Sequence, residues 1–415
     1  MRVAVVAVGD ELLLGAVVNG NLAWTGRTLA AAGLDVVRGY EVDDDVDAIV
    51  DVLRDALRVA DAVVVTGGLG PTSDDRTRDA LAALAGVPLV EDPALLADLD
   101  RWFRDRRRVK PPTVDVQARR PRSARALTNA YGTAPGLGLE VDGRVVYAVP
   151  GVPLEMRAML TDVVVPELRG RAGSPAPLLT RQLRVAVVGE SLVAHRLQPL
   201  EADLPDGVRL AYLASPGEVR VRFTGTDDAA LVAARDRARE LLGAAVSGED
   251  DETLAATVLA ALGVRGETLA VAESLTGGQV VATLVDVPGA SQALVAGVVA
   301  YATDRKTDLL GVPADLLDRE GPVHPDVARA MARGVRDRAR ADWGLATTGV
   351  AGPDQQDGQD PGTVHVAVTS AAGDHVLSLR LVGDRSAVRT VATANALDLL
   401  RRAVLGLATD PEHPW

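Results

Sequence analysis

The sequence predicts an α/β protein of more than one domain. Three observations carry that prediction: short apolar runs that stop at glycine or threonine, helix-forming stretches between them, and a Gly/Pro/Ser-rich break at 170–177 with a second boundary at 243–251. Residues 3–8 and 62–66 are apolar runs, 36–42 reads as a further strand, and 21–32, 46–59 and 74–85 read as the intervening helices. Strands that are apolar throughout, without in/out alternation, belong to a parallel sheet covered on both faces. Such sheets bind ligands beyond the carboxyl ends of their strands. Gly9-Asp10-Glu11 and the run from Thr66 to Pro71 fall there.

After the first break, strands at 183–188, 208–214 and 219–224 with helices at 193–200 and 229–242 describe a small α+β unit. The last part reads as a helix at 254–262, a strand at 268–272, a helix from Gly277, a strand at 294–301 and a helix at 306–310. A helix at 325–340, a strand at 345–348, a hairpin from 363–370 and 376–381, and a closing helix at 388–405 follow. The expected domains are 1–170, 178–247 and 252–409.

Composition narrows the function. Cysteine is absent, which removes disulfides, thiolate metal sites and a cysteine nucleophile. Aromatics are 3%, so the cores must come from Val, Leu and Ala. The run 3–8 is too short for a signal peptide, and no stretch approaches the ~18 apolar residues of a membrane span. A soluble, cytoplasmic protein without a membrane partner is therefore expected. The net charge of −13 is opposite to the usual footprint of nucleic-acid binding, and the basic run 104–110 reads as a solvated helix end. Small molecules are the expected ligands.

The histidines (195, 324, 365, 375 and 413) show no metal-ligand spacing. Attention passes to serine with lysine, a known variant of nucleophile plus base. In Tyr301-Ala-Thr-Asp-Arg-Lys306 the tyrosine ends a strand, and Thr303 as N-cap would put Lys306 in the first helical turn. There the positive helix end should lower the amine pKa, although a solvated lysine beside a core tyrosine has the same spacing. Glu273-Ser274-Leu275-Thr276-Gly277-Gly278 runs from a strand into a helix whose free N–H groups suit a phosphate; a Ser/Thr cap with turn glycines is the plainer reading. Ser291 precedes the Tyr301 strand. Thr348-Gly349 opens another strand-end glycine loop, and Arg385 offers a guanidinium for an anion.

In the first domain, Gly67, Gly68 and Gly70 would let the backbone approach a phosphate, with Thr72 close behind them and Asn19 soon after the earlier run Gly9–Gly15. Asp10, Glu11, Asp44, Asp74 and Asp75 could hold a divalent ion against a pyrophosphate. Thr72-x-x-Asp75 is equally a capping-box pattern.

AESLTGG, GASQALVAGVVAYATDRK, TGVAGPD and GDR, in this order, resemble the C-terminal domain of the CinA (competence/damage-inducible) family. The resemblance implies a metal-free Ser/Lys hydrolase that deamidates nicotinamide mononucleotide (NMN). It makes Ser291 the nucleophile, Lys306 the base and Tyr301 its helper, with Ser274 the alternative nucleophile. Glu273, Ser274, Thr276, Gly277, Gly278, Thr348, Gly349 and Arg385 would bind or support substrate. The N-terminal motifs, with Asn129-x-x-Gly-Thr-Ala-Pro-Gly136 and Pro150-Gly-Val-Pro-Leu-Glu-Met156, resemble the family's molybdopterin-binding (MogA/MoeA-like) three-layer domain. That resemblance implies a divalent-metal-dependent ADP-ribose pyrophosphatase using Gly67, Gly68, Gly70, Thr72, Asp75 and Asn19, with Asp10, Asp44 and Asp74 on the metal. Molybdopterin binding is the alternative. The middle segment resembles the family's KH-like module, read as a spacer or dimer element in a homodimer. A non-enzymatic accessory of DNA uptake or repair, which the family's historical name suggests, is the rival class.

Overall fold

The computed structural model describes residues 1–409, so His413 lies outside the described residues. The chain forms two compact units, Met1–Leu179 and the remainder from Thr180. Among the described residues no helix is long and apolar enough to cross a membrane. The class is α/β.

In the first unit, β1 (Arg2–Val8), β2 (Asp35–Val42) and β3 (Ala62–Thr66) run parallel. The short β4 (Leu89–Glu91) and β5 (Arg119–Pro121) pair separately. Then β6 (Arg125–Leu127), β7 (Gly136–Val141) and β8 (Arg144–Val149) complete a six-stranded sheet ordered β2-β1-β3-β8-β7-β6. Here β8 is parallel to β3, while β7 and β6 add an antiparallel edge. Period-two side-chain direction explains the all-apolar β1. Ala4, Val6 and Val8 pack on one face with Ile49, Leu53 and Leu57, and Val3 and Val5 pack on the other with Leu29, Met156 and Leu160. The helix Val46–Val59 starts where the Asp45 carboxylate accepts from the N–H groups of Asp47 and Ala48. Its Ile49, Leu53, Ala56 and Leu57 form the buried stripe. The helix expected from Asp74 begins later, at Thr77.

The second unit opens with β9 (Leu179–Ala186), β10 (Arg209–Ser215), β11 (Glu218–Gly225) and β12 (Val246–Glu249), in the order β10-β11-β9-β12. The segment 243–251, read from sequence as a break, is thus part of this sheet. It is also anchored from the last helix: buried Arg401 donates to the Ala244 and Val246 carbonyls at 2.6 and 3.2 Å. Then β13 (Leu269–Glu273), β14 (Leu294–Val299), β15 (Trp343–Gly349), β16 (Thr363–Ser370) and β17 (Gly373–Arg380) form a sheet ordered β14-β13-β15-β16-β17. The first three strands are parallel and the β16–β17 hairpin is antiparallel. Leu269, Val271, Leu345 and Val366 face the helices Leu254–Arg265 and Arg385–Leu405. The opposite face carries Ala270, Ala272, Ala346 and Ala367 against Val327, Met331 and Val335 of the helix Pro325–Ala339. That helix lies so close that a Cβ on Gly344 would sit 2.0 Å from the Ala332 carbonyl oxygen. Close packing on both faces holds the carboxyl ends of β13, β14 and β15 together at one edge.

Candidate active site

At that edge lies a cavity of about 390 Å³, lined by Ser274, Tyr301, Lys306, Thr348, Arg385 and the loop 349–356. Lys306 sits in the first turn of the helix Thr303–Leu310 and is only 1% exposed. Its Nζ donates to Ser274 Oγ at 3.2 Å and to the Ala300 carbonyl at 3.0 Å. Burial penalises the ammonium form and lowers its pKa from 10.5 to about 8. The sequence leads to a lowered pKa through the helix end; in the structure desolvation lowers it. Thr303 is not the N-cap either. Ala302 holds that position, with no side-chain cap. An amine of this pKa beside a hydroxyl can take its proton near neutral pH.

Ser291 does not meet this amine. In the parallel register Leu269 pairs with Leu294 and Glu273 with Val299. Ser274 follows the carboxyl end of β13, whereas Ser291, exposed in the turn Ala290–Gln292, precedes the amino end of β14. A strand of this length separates the two edges by about 16 Å. Tyr301 reaches the cavity but does not bond Lys306. Its hydroxyl accepts from Arg385 Nη2 at 2.6 Å, and Arg385 Nη1 donates to the Gly352 carbonyl at 2.8 Å. Arg385 thus stands on the cavity wall, held by Tyr301 and the glycine loop.

The expectation of a phosphate on the helix after Gly278 is overturned. Glu273, fully buried, fills that position with its own carboxylate. It accepts from the N–H groups of Gly278 (2.9 Å), Val280 (3.1 Å) and Val281 (2.9 Å). Thr276 is internal as well. Its hydroxyl lies 2.7 Å from that of Thr347, and its carbonyl accepts from Arg389 at 2.7 Å. Gly277 and Gly278, at φ 60° and 94°, make the turn that allows this. Thr348 donates to the Pro322 carbonyl at 2.7 Å, and Gly349 admits the Thr363 carbonyl, which a Cβ would meet at 2.5 Å. Arg389 and Thr347 were not singled out from sequence. Both act across the sheet at separations of more than 70 residues, which local spacing does not reveal.

The first-unit motif is also largely spent on its own loop. A Cβ on Gly67 would meet the Val8 carbonyl at 2.3 Å, one on Gly68 the Thr77 hydroxyl at 2.2 Å, and one on Gly70 the Asp75 carboxylate at 2.4 Å. Asp75 accepts from the Gly70 and Thr72 N–H groups at 2.6 and 2.8 Å and from the Thr72 hydroxyl at 2.6 Å. No helix starts at Thr72, so this is a loop brace rather than a capping box. Buried Arg78, also not foreseen, donates to the Leu69 and Gly70 carbonyls. Asn19 caps the helix Gly20–Ala31 through Leu22 N–H and donates to Glu41 at 2.8 Å. Asp10, Asp44 and Asp74 do border one acidic cleft. Asp10 and Asp44 accept each other's backbone N–H at 3.3 and 3.2 Å. Partial burial, and then its acidic neighbours, raise the Asp44 carboxyl pKa. Among the described residues no three His, Cys, Asp or Glu side chains gather closely enough to hold a metal by themselves. The donor set fits only an ion that also takes oxygens from a bound phosphate, as magnesium commonly does.

Comparison with known proteins matches three segments of the chain to three families. Residues 4–170 match the probable molybdopterin binding domain family, 180–247 the damage-inducible protein CinA KH domain, and 251–404 the CinA C-terminal domain. A CinA-like protein of Frankia casuarinae is 48% identical over 98% of this chain and 97% of its own length. One from Gemmatimonas aurantiaca is 41% identical over 100% and 99%. A crystal structure of CinA from Thermoplasma acidophilum is 38% identical, covering 41% of this chain and 98% of that one, with a TM-score of 0.37. Near-full-length identity to such relatives, with the three domain families in sequence, shows that the chain belongs to the CinA family.

Proposed function

We propose that the second unit is an amidohydrolase that releases ammonia from NMN, with Ser274 as nucleophile and Lys306 as base. The observation that carries this reading is the 3.2 Å contact between Ser274 Oγ and a buried amine whose pKa has fallen to about 8. Ser274 Oγ attacks the carboxamide carbon while its proton passes to Lys306 Nζ. Lys306 returns that proton to the amide nitrogen, the C–N bond breaks and ammonia leaves. Water then attacks the Ser274 ester, gives a proton through Lys306 to Ser274 Oγ, and releases the carboxylate product. Arg385, on the cavity wall, is placed for the substrate phosphate, the usual partner of a guanidinium. Ammonia release from NMN, measured for the wild type and for Ser274→Ala, Ser291→Ala and Lys306→Ala, tests the assignment. Activity lost in the first and third variants and kept in the second is the expected pattern; a silent Ser291→Ala with an active Ser274→Ala overturns it.

For the first unit we propose ADP-ribose hydrolysis to AMP and ribose 5-phosphate at the acidic cleft. Asp44, half-buried beside Asp10 and Asp74 with its carboxyl pKa raised by burial and by its acidic neighbours, supports this reading, because such a cluster gains from a cation. A divalent ion, when bound, would neutralise pyrophosphate charge; Asp10 and Asp44 are the side chains to hold it. AMP formation that persists in excess chelator rejects the proposal. Molybdopterin binding without ADP-ribose cleavage selects that ligand instead, and a steep salt-dependent affinity for DNA selects the accessory reading.

A further inference from the structure

The Ser274–Gly278 turn is held from every side. The Ser274 N–H donates to the Thr347 carbonyl at 3.0 Å and the Gly277 N–H to the Ser274 carbonyl at 3.0 Å. Arg389 grips the Thr276 carbonyl, and the Thr276 hydroxyl meets Thr347. Glu273 gathers the next three available donors, Gly278, Val280 and Val281. Two N–H groups in this stretch, those of Leu275 and Thr276, donate to no acceptor among the described residues. Leu275 borders the cavity directly after Ser274. Acyl transfer places an oxyanion beside the nucleophile, and backbone N–H groups fixed in advance are the usual means of stabilising it.

We propose that Glu273 is a positioning residue for acyl transfer at Ser274: by drawing the Gly278, Val280 and Val281 N–H groups onto its buried carboxylate, it fixes the turn that leaves the Leu275 N–H to the oxyanion. The proposal rests on the Ser274 assignment above. A carboxylate is required because all three partners are donors. Glutamine of the same shape would set its NH₂ against at least one N–H, leaving the turn loose while the side-chain volume is kept. Glu273 touches neither Ser274 Oγ nor Lys306 in the hydrogen-bond network, so its influence on rate passes through the backbone alone.

The test compares full-length wild type, Glu273→Gln, Arg389→Gln and Ser274→Ala in two assays. One is ammonia release from NMN, resolved into kcat and KM. The other is labelling of Ser274 by a fluorophosphonate, which reads oxyanion stabilisation without any amide substrate. Glu273→Gln should lower kcat and the labelling rate together, by about 10- to 100-fold, the range for loss of one oxyanion donor or somewhat less. KM should stay within about threefold and the pH midpoint set by Lys306 should not move. Arg389→Gln, which loosens the same turn from its other side, should show a smaller fall of the same kind; it carries the test if Glu273→Gln does not fold. A Glu273→Gln protein that melts earlier but labels and turns over at the wild-type rate reduces Glu273 to a helix cap and overturns the proposal. Labelling of Ser274 that depends on Glu273 in a protein inert toward NMN keeps the positioning role and rejects the substrate. Absence of wild-type labelling at Ser274 overturns both.

Discussion

Two glycine turns, one in each unit, use the same device to opposite ends. Between Gly67 and Asp75 the Asp75 carboxylate folds back onto the Gly70 and Thr72 N–H groups, and between Glu273 and Val281 the Glu273 carboxylate reaches forward onto Gly278, Val280 and Val281. Each turn takes up N–H groups that its sequence offers to a ligand. The difference lies in what is left over. The second turn leaves Ser274 against a buried amine in a cavity. The first leaves an open cleft of aspartates with no nucleophile against a base. A glycine-rich strand end therefore says that the backbone packs tightly there; whether chemistry follows depends on the one or two groups that remain unpaired.

The largest effect that would break this comparison is at the leftover pair. Ser274→Ala or Lys306→Met should reduce ammonia release by about 10³-fold or more, because nucleophile and base act as a unit. Lys306→Met should at the same time be more stable than wild type at pH 7. A pKa lowered from 10.5 to about 8 means that the folded state resists the ammonium by about 3 kcal/mol at most. The sign follows from proton binding: below about 8 both folded and unfolded chains carry the proton and the whole penalty is present. Between about 8 and 10.5 only the unfolded chain binds it, so wild-type stability rises with pH and the advantage of methionine shrinks. Thermal melts at pH 7 and pH 10 measure this.

Next in size is the pH profile. With the neutral amine as the proposed base, kcat/KM should climb about tenfold per pH unit below about 8 and level off above it. A flat profile from pH 6 to 9 removes Lys306 as the base. Arg385→Ala should raise KM for NMN by about tenfold with a smaller change in kcat, the mark of a lost phosphate contact. In the first turn the expected losses are of stability alone. Gly68→Ala forces a Cβ at φ 65° to within 2.2 Å of the Thr77 hydroxyl, and should cost about 2–3 kcal/mol. Denaturant melts of the full chain check it, while ammonia release stays at the wild-type level. Ser291→Ala, exposed and at the wrong edge, should be within about twofold of wild type in every assay.

Much of the architecture was legible in single runs of residues. The apolar stretches at 3–8, 62–66 and 268–272 become parallel strands because both sheet faces are covered. Lys306 was legible as a first-turn amine. Ser274 could not be preferred over Ser291 from sequence, because the choice depends on which edge of a parallel sheet each serine occupies. That is set by the β13–β14 register and not by spacing. Glu273 looked like a ligand residue because nothing local shows that its carboxylate lies beneath the turn. The strands β6, β7 and β8 were not read from the sequence: β6 has three residues and β7 is interrupted by Gly136 and Gly138, while the buried apolar run of β8 carries no local sign of where it pairs.

The isolation of Lys306 has a chemical consequence beyond turnover. The chain contains two lysines against forty-two arginines. Lys110 is held as a cation by Asp100 and Asp115, which raise its pKa, whereas Lys306 is half deprotonated near pH 8. Acylating or carbonyl reagents small enough to enter the cavity should therefore modify one lysine and spare the other, so that cyanate in aged urea becomes a site-directed inactivator and mass spectrometry of a single peptide reports the occupancy of the site.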